Sequence, residues 1–247
     1  MQCDDLLGAL NAFLKPELFK DYAPNGLQVQ GKSEIKKIVT AVSATQTVID
    51  RAVELQADAL LVHHGWFWKG ENPCIVRTKH RRLKTLLSAD INLIGYHLPL
   101  DAHPEIGNNA LLGKLLNAQN CMQTSEGNFL WMGEIAPKTL EQLTQYLSEQ
   151  LSREVLVLGN RTGDITRVAW CSGAAENFFE DAITAGAQVY ISGEAAERST
   201  HMARESGVPY LVCGHHATER LGIRALGNWI EETLGIECIF VDDDNPL

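Results

Sequence analysis

Two short apolar runs in this chain end in paired histidines: Leu60-Leu61-Val62-His63-His64-Gly65 and Leu211-Val212-Cys213-Gly214-His215-His216. Each has the shape of a buried strand emptying into a loop. A strand of that kind has no structural use for two adjacent imidazoles at its carboxyl end, which is where open α/β sheets place their ligands. A third apolar run leads into His97. Asp101 stands four residues past His97, and Glu219 stands four past His215. Imidazole nitrogen together with carboxylate oxygen suits Zn, Mn, Fe, Co or Ni as divalent ions, with none decisively preferred. The candidate donors are therefore His63, His64, His97, Asp101, His215, His216 and Glu219.

Taken singly, each has a plainer explanation. A lone histidine at a strand end is usually a hydrogen-bonded structural residue, and loop carboxylates in an acidic protein are usually solvated charges or helix caps. Asp101 and Glu219 gain weight because the same spacing from a histidine occurs twice. One ion does not satisfy so many donors, since a catalytic zinc takes three protein ligands and keeps a position open. Five or more ligands imply two ions, about 3.5–4 Å apart in typical two-metal sites. A carboxylate has two oxygens with which to bridge such a pair, whereas an imidazole nitrogen has one lone pair. Asp101 and Glu219 are thus read as bridges and the histidines as terminal ligands. Water shared by two ions ionises near neutral pH, which makes hydrolysis the reaction class this pattern supports most directly.

Holding these residues in place requires strands that end at them. Residues 4–14 have helical spacing with acidic residues at the start, Pro16 ends that helix, and 21–26 reads as a turn before a strand at 27–30. A strand at 37–42, a helix from about 47 to 56, the histidine strand, a helix over 77–88 and a strand at 91–96 follow in alternation. That is the pattern of a parallel or mixed sheet with helices on its faces. Residues 98–107 look too rich in Pro and Gly for a helix, and Asn108 or Asn109 is placed to cap a helix running through Leu116. The polar stretch 117–128 is read as the boundary between a first α/β domain (1–122) and a second (123–247).

The second half repeats the first. Residues 167–194 match 38–65 without a gap, with Val168 on Val39, Ser172 on Ser43 and Ser192-Gly193 on His63-His64. Further on, Tyr210 falls on Asn92, His215 on His97 and Glu219 on Asp101. The fold expected is α/β, with two pseudo-repeated domains whose mixed sheets face a shared cleft. A helix from about Ala217 to Leu234 would carry Glu219 in its first turn, where backbone N–H groups favour an anion.

Bulk properties narrow the class. The 247 residues are 45% hydrophobic and 21% charged, with a net charge of −10. That is an ordinary globular composition, and the negative charge argues against a general nucleic-acid coat. No apolar run reaches the roughly 18 residues of a membrane span. The acidic start Met1-Gln2-Cys3-Asp4-Asp5 is unlike a leader peptide, so a cytoplasmic protein is expected. Six scattered cysteines with no C-x-x-C pair suggest neither disulfides nor a thiolate metal site. One local exception to the charge is the basic run Arg77, Lys79, His80, Arg81, Arg82 and Lys84. Its bland reading is a solvated helix face, and its sharper one is a patch that guides a phosphorylated substrate or single strand.

The motifs together, in order, resemble the Nif-three family, which also carries the label GTP cyclohydrolase I type 2. The resemblance covers the whole chain. It rests on Asn25-Gly26-Leu27-Gln28-Val29, Leu61-Val62-His63-His64-Gly65, Tyr96-His97 with Asp101, Ser192-Gly193-Glu194, and Gly214-His215 with Glu219. It implies two similar α/β domains, a two-metal site at their interface and ring-shaped hexamers. By position, His63, His64, Asp101, His215 and Glu219 would be the ligands of two divalent ions per chain. His97 and His216 remain as supporting or proton-transferring groups. Two departures from the family bear on substrate more than on metal: there is no room for the inserted domain some relatives have, and Gly65-Trp66-Phe67-Trp68 is bulkier than the usual proline-led loop. Those aromatics are either packing residues or a platform for a purine.

Three functions follow as expectations. The first is a metal hydrolase opening a purine nucleotide ring, GTP being the family's suggestion, although no P-loop or G-x-G-x-x-G is present to hold phosphates. The second is a phosphoester or amide hydrolase on the same metals. The third is a non-enzymatic metal-holding ring that binds a protein or nucleic acid in a stress or DNA-damage response, for which the basic run is the one sequence feature.

Overall fold

The computed structural model describes residues 1–124 and 129–247. In chain order the elements are α1 (Cys3–Leu14), β1 (Gly26–Val29), β2 (Lys37–Ser43), α2 (Gln46–Glu54), β3 (Ala59–His64), α3 (Arg77–Ser88), β4 (Asn92–Gly95), α4 (Leu98–Ala102), α5 (Asn108–Leu115), β5 (Gln119–Gln123) and β6 (Trp131–Lys138). There follow α6 (Leu140–Leu151), β7 (Leu156–Leu158), β8 (Ile165–Cys171), α7 (Phe179–Thr184), β9 (Val189–Ser192), α8 (Glu197–Ser206), β10 (Tyr210–Val212), α9 (His215–Leu234) and β11 (Glu237–Phe240). They form two compact units, one of residues 1–106 with 222–244 and the other of 107–221 with 245–247.

The first unit holds a five-stranded sheet in the order β1-β4-β3-β2-β11. Pairing is parallel from β4 across to β11, and β1 runs antiparallel on the β4 edge. Neighbouring strand residues point to opposite faces, and both faces are covered. Ile38, Leu61 and Ile94 pack on one side with Leu6 and Leu10 of α1 and Ile223, Leu226 and Ile230 of α9. Val39, Leu60 and Leu93 pack on the other with Val48, Ile49 and Ala52 of α2 and Leu86 of α3. This two-sided burial is why β3 reads as a continuous apolar run until the histidines.

The second unit holds a six-stranded sheet, β5-β6-β8-β9-β10-β7. Its centre, β8-β9-β10, is parallel, and β7 is antiparallel on the β10 edge as β1 is on the β4 edge. The repeat read from the sequence is present in the ladders: Val39 faces Leu60 and, 129 residues on, Val168 faces Val189. The match slips by two residues on the third strand, where Leu61 faces Ile94 but its counterpart Tyr190 faces Tyr210. Alignment through the helix starts therefore differs from alignment through the strands.

Four local expectations are corrected. Residues 98–102 are helical, because Pro99 sits in the first turn, where its missing N–H has no intrahelical acceptor in any case. Gly107, not an asparagine, is the N-cap residue of α5, and Asn108 and Asn109 are buried inside it. The polar stretch before 125 contains β5, an exposed edge strand antiparallel to β6, while 125–128 lie outside the described residues. The helix α9 begins at His215 rather than near Ala217. The break expected at 122/123 falls inside the second unit, and the segment 222–244 returns to complete the first. It does so because β11 pairs with β2 (Glu237 on Lys37) and the buried face of α9 fills the α1 side of that core.

Candidate metal centre

In the first unit β3 delivers two histidines. Successive strand residues would face opposite ways, but the strand ends at His64, and the two rings lie 4.6 Å apart at their centroids. His97, which follows β4 and serves as N-cap residue of α4, brings a third ring to 5.1 Å from His63 and 5.6 Å from His64. One nitrogen of each can be chosen so that all three lie within 4.8 Å of one another, a spacing that can hold a metal ion. Asp101, one helical turn beyond His97, places a carboxylate oxygen 3.5 Å from His63 Nε2.

Hydrogen bonds at the other ring nitrogens decide which lone pairs are on offer. His63 Nδ1 lies 3.0 Å from the Tyr96 carbonyl, which only accepts, so Nδ1 carries a proton and Nε2 is the nitrogen turned toward the other donors. Nε2 faces the Asp101 carboxylate at 3.5 Å. His97 Nδ1 donates to Asp21 Oδ1 at 2.9 Å, and His64 Nδ1 lies 3.1 Å from Ser43 Oγ. All three imidazoles are held through Nδ1, as metal-ligating histidines commonly are.

Asp21 organises this arrangement. Its carboxylate also accepts from the N–H groups of Tyr22, Ala23 and Leu98 and from the Asn25 amide, while Asn25 Oδ1 accepts from the His97 N–H. Burial alone would push its pKa up. The hydrogen bonds from His97, Asn25 and Leu98 outweigh burial and hold it well below the usual carboxylate range. Trp68 stands edge-on to His97 at 5.1 Å, whereas Trp66 is buried with its Nε1 on the Ala44 carbonyl. Of the aromatics after the histidine pair, Trp66 therefore packs in the core, and Trp68 borders the imidazoles.

The second unit gathers a smaller set. Because α9 starts at His215, Glu219 is in its second turn, not its first, and the i,i+4 pair shares one helix face. Glu219 Oε2 is 3.1 Å from His215 Nε2, and Glu194, just past β9, takes His215 Nδ1 at 2.5 Å. Burial lowers the His215 pKa, but the hydrogen bonds and charges of Glu219 and Glu194 raise it further, to about 9. Two glycines allow the approach. A Cβ on Gly193 would lie 2.6 Å from the Gly173 carbonyl and 2.7 Å from His215 Cα, and one on Gly173, whose φ is +66°, would strike the Glu219 carboxylate. His216 is also buried, with its N–H on the Leu247 carbonyl. Among the described residues, no group of three or more donors that could hold a metal ion includes it.

Sequence reasoning missed Asp21, Ser43 and Glu194 as functional residues. Glu194 was visible inside Ser192-Gly193-Glu194, and Asp21 opens the turn before Asn25-Gly26. Neither had a histidine at fixed spacing to mark it.

An α/β fold with imidazoles and carboxylates gathered at strand ends and helix starts defines a protein equipped to hold a metal ion. A profile of Duf34/NIF3 (NGG1p interacting factor 3) matches residues 1–246, and the chain belongs to that family. The GTP cyclohydrolase 1 type 2 homolog of Allochromatium vinosum is 48% identical over 246 residues, covering 99% of this chain and 94% of the relative. The protein of the same name from Neisseria meningitidis serogroup B is 48% identical over 245 residues, with 99% and 98% covered. Among solved structures, the protein ybgI, described as of unknown function, superposes with a TM-score of 0.97 at 45% identity, and a protein from Thermus thermophilus with 0.92 at 32% identity, each over the full length of both chains.

Proposed function

We propose that the protein is a divalent-metal hydrolase that opens the ring of a purine nucleotide. The observation that carries this is the group of three imidazoles, His63, His64 and His97, each held at Nδ1, with the Asp101 carboxylate beside the Nε2 of His63. Such a donor set fits zinc, manganese, iron, cobalt or nickel. His63, His64 and Asp101 in the first unit and His215 and Glu219 in the second are the residues that would hold such ions, two per chain. His97 joins the ligands instead of moving protons, since Asp21 fixes its proton on Nδ1. His216 keeps the proton-transfer role. Ions of this kind supply Lewis acidity and make water nucleophilic at neutral pH. The purine substrate is suggested by the relatives' name, GTP cyclohydrolase 1 type 2 homolog. The working assembly is a hexameric ring in the cytoplasm. No helix among the described residues is long and apolar enough to cross a membrane.

The test is a metal count by plasma mass spectrometry on the parent, Asp101→Ala and Glu219→Ala, followed by assay with GTP. About two ions per chain, with metal lost from both variants, is the expected result. Metal content unchanged in both variants would overturn these carboxylates as ligands, and no ion in the parent after loading would overturn the hydrolase. Turnover of general phosphoesters without GTP turnover would replace the substrate and keep the chemistry. Light scattering at six times the mass of the chain checks the ring.

A further inference from the structure

The basic run of α3 is not accounted for by the metal centre, and it borders a cavity. In the first unit a space of about 290 Å³ lies between Trp66 and the start of α3, lined by Trp66, Glu71, Val76, Arg77, Lys79 and Arg82. The loop that carries Trp66 leaves β3 directly after His63 and His64.

Positive charge gathers at this place. The first N–H groups of a helix lack intrahelical acceptors, and the positive end of the helix dipole lies there. Most helices answer with a capping side chain or an early acid. In α3 the N-cap residue is Val76, no side chain caps it, no acid stands in the first turn, and Arg77 is the first residue. Arg77 and Lys79 therefore stand in the first turn of a helix, where the dipole repels them, and Arg82 follows in the second turn. The one acid lining the cavity is committed: Lys79 Nζ lies 3.3 Å from Glu71 Oε1, and the Trp68 N–H donates to Oε2 at 3.3 Å. That leaves Arg77, which is exposed, and Arg82, whose Nε is buried without a hydrogen-bond partner among the described residues. The indole N–H of Trp66 is spent on the Ala44 carbonyl, so Trp66 offers the cavity only an apolar wall.

We infer that this cavity is a phosphate subsite: Arg77, Arg82 and the first N–H groups of α3 receive the phosphate of a small-molecule substrate against the wall of Trp66. It rests on the hydrolase reading only in assigning the phosphate to a substrate. It also supplies what the absent P-loop would have supplied, a helix N-terminus for an anion, here with side-chain cations in place of glycines.

Titration calorimetry of inorganic phosphate and pyrophosphate into the full chain tests it, at fixed ionic strength with chloride as the balancing anion, before and after removal of metal with a chelator. Saturable binding under both conditions is expected, weakened about tenfold by Arg77→Gln and by Arg82→Gln, each of which removes a charge-assisted contact. The preference for GTP over guanosine should shrink by the same factor. Because Arg77 is exposed, its variant keeps the fold even if Arg82→Gln does not. Phosphate binding that vanishes with the metal, or that both variants leave at parent strength, overturns the subsite without touching the metal reading. Phosphate binding retained in a chain that takes up no metal would support the subsite and sink the hydrolase.

Discussion

Asp21 does for His97 what no ligand does for itself: it fixes the tautomer and orients the ring. The substitution Asp21→Asn keeps the size of the side chain and removes the charge that anchors Nδ1–H. Losing such a support typically weakens metal binding about 10–100-fold, and competition with a chromophoric chelator measures it. Unchanged affinity would show that His97 stands outside the metal shell. The depressed Asp21 pKa also sets a pH window. A carboxylate lowered in the folded state stabilises it fully above its ordinary value of about 4 and loses that contribution as pH falls below it, so acid unfolding should begin at lower pH in the parent than in Asp21→Asn. His215 works in the opposite sense. With its pKa raised to about 9, it stabilises the metal-free fold below about 6.5 and loses that contribution as pH rises through 9. At pH 7 the metal-free protein therefore holds a proton on His215 that an ion must displace. Calorimetry of metal binding in buffers of different ionisation heat should report about one proton released per chain from this site. A heat independent of buffer would contradict it.

The elements that place these residues are held from both faces of a sheet, and α9 is the most exacting of them. Ile230 on α9 is fully buried in the first unit's core. Ile230→Ala should cost about 2–5 kcal/mol, read as a lower urea midpoint, whereas a loss below 1 kcal/mol would mean that this core collapses around the gap. Which elements were legible in the sequence follows from how each is buried. The strands β2, β3 and β4 and their counterparts β8, β9 and β10 are enclosed on two faces, so they stand out as apolar runs, and the repeat between them was readable down to single-residue register on β8 and β9. The strand β5 has no buried residue and thus no alternation to read. The strand β11 is defined by its partner β2, some 200 positions earlier in the chain, which no local pattern encodes. The site divides in the same way. Histidines ending apolar runs announce themselves, whereas Asp21 and Glu194 matter through hydrogen bonds that exist only once the chain has folded.

At the scale of the whole molecule, metal and stability should be linked. Ions that bind the folded chain and not the unfolded one stabilise it by about 2.7 kcal/mol at a hundred times their dissociation constant. For a chain of 247 residues that corresponds to a rise in Tm of roughly 5–10 °C, measurable by calorimetry before and after chelation; an unchanged Tm would mean that no specific ion is held. The interrupted first unit has a consequence of its own for biosynthesis. Residues 1–106 leave the ribosome early, but the sheet they begin lacks an edge strand and much of one covering helix until 222–244 have been made. At ordinary elongation speeds of about 5–20 residues per second, that wait lasts roughly 7–28 s, during which all of the intervening unit but its last three residues is delivered. The nascent chain thus carries a half-covered sheet for much of its synthesis, and the unit whose chain emerges first stays incomplete until nearly the whole sequence has been made.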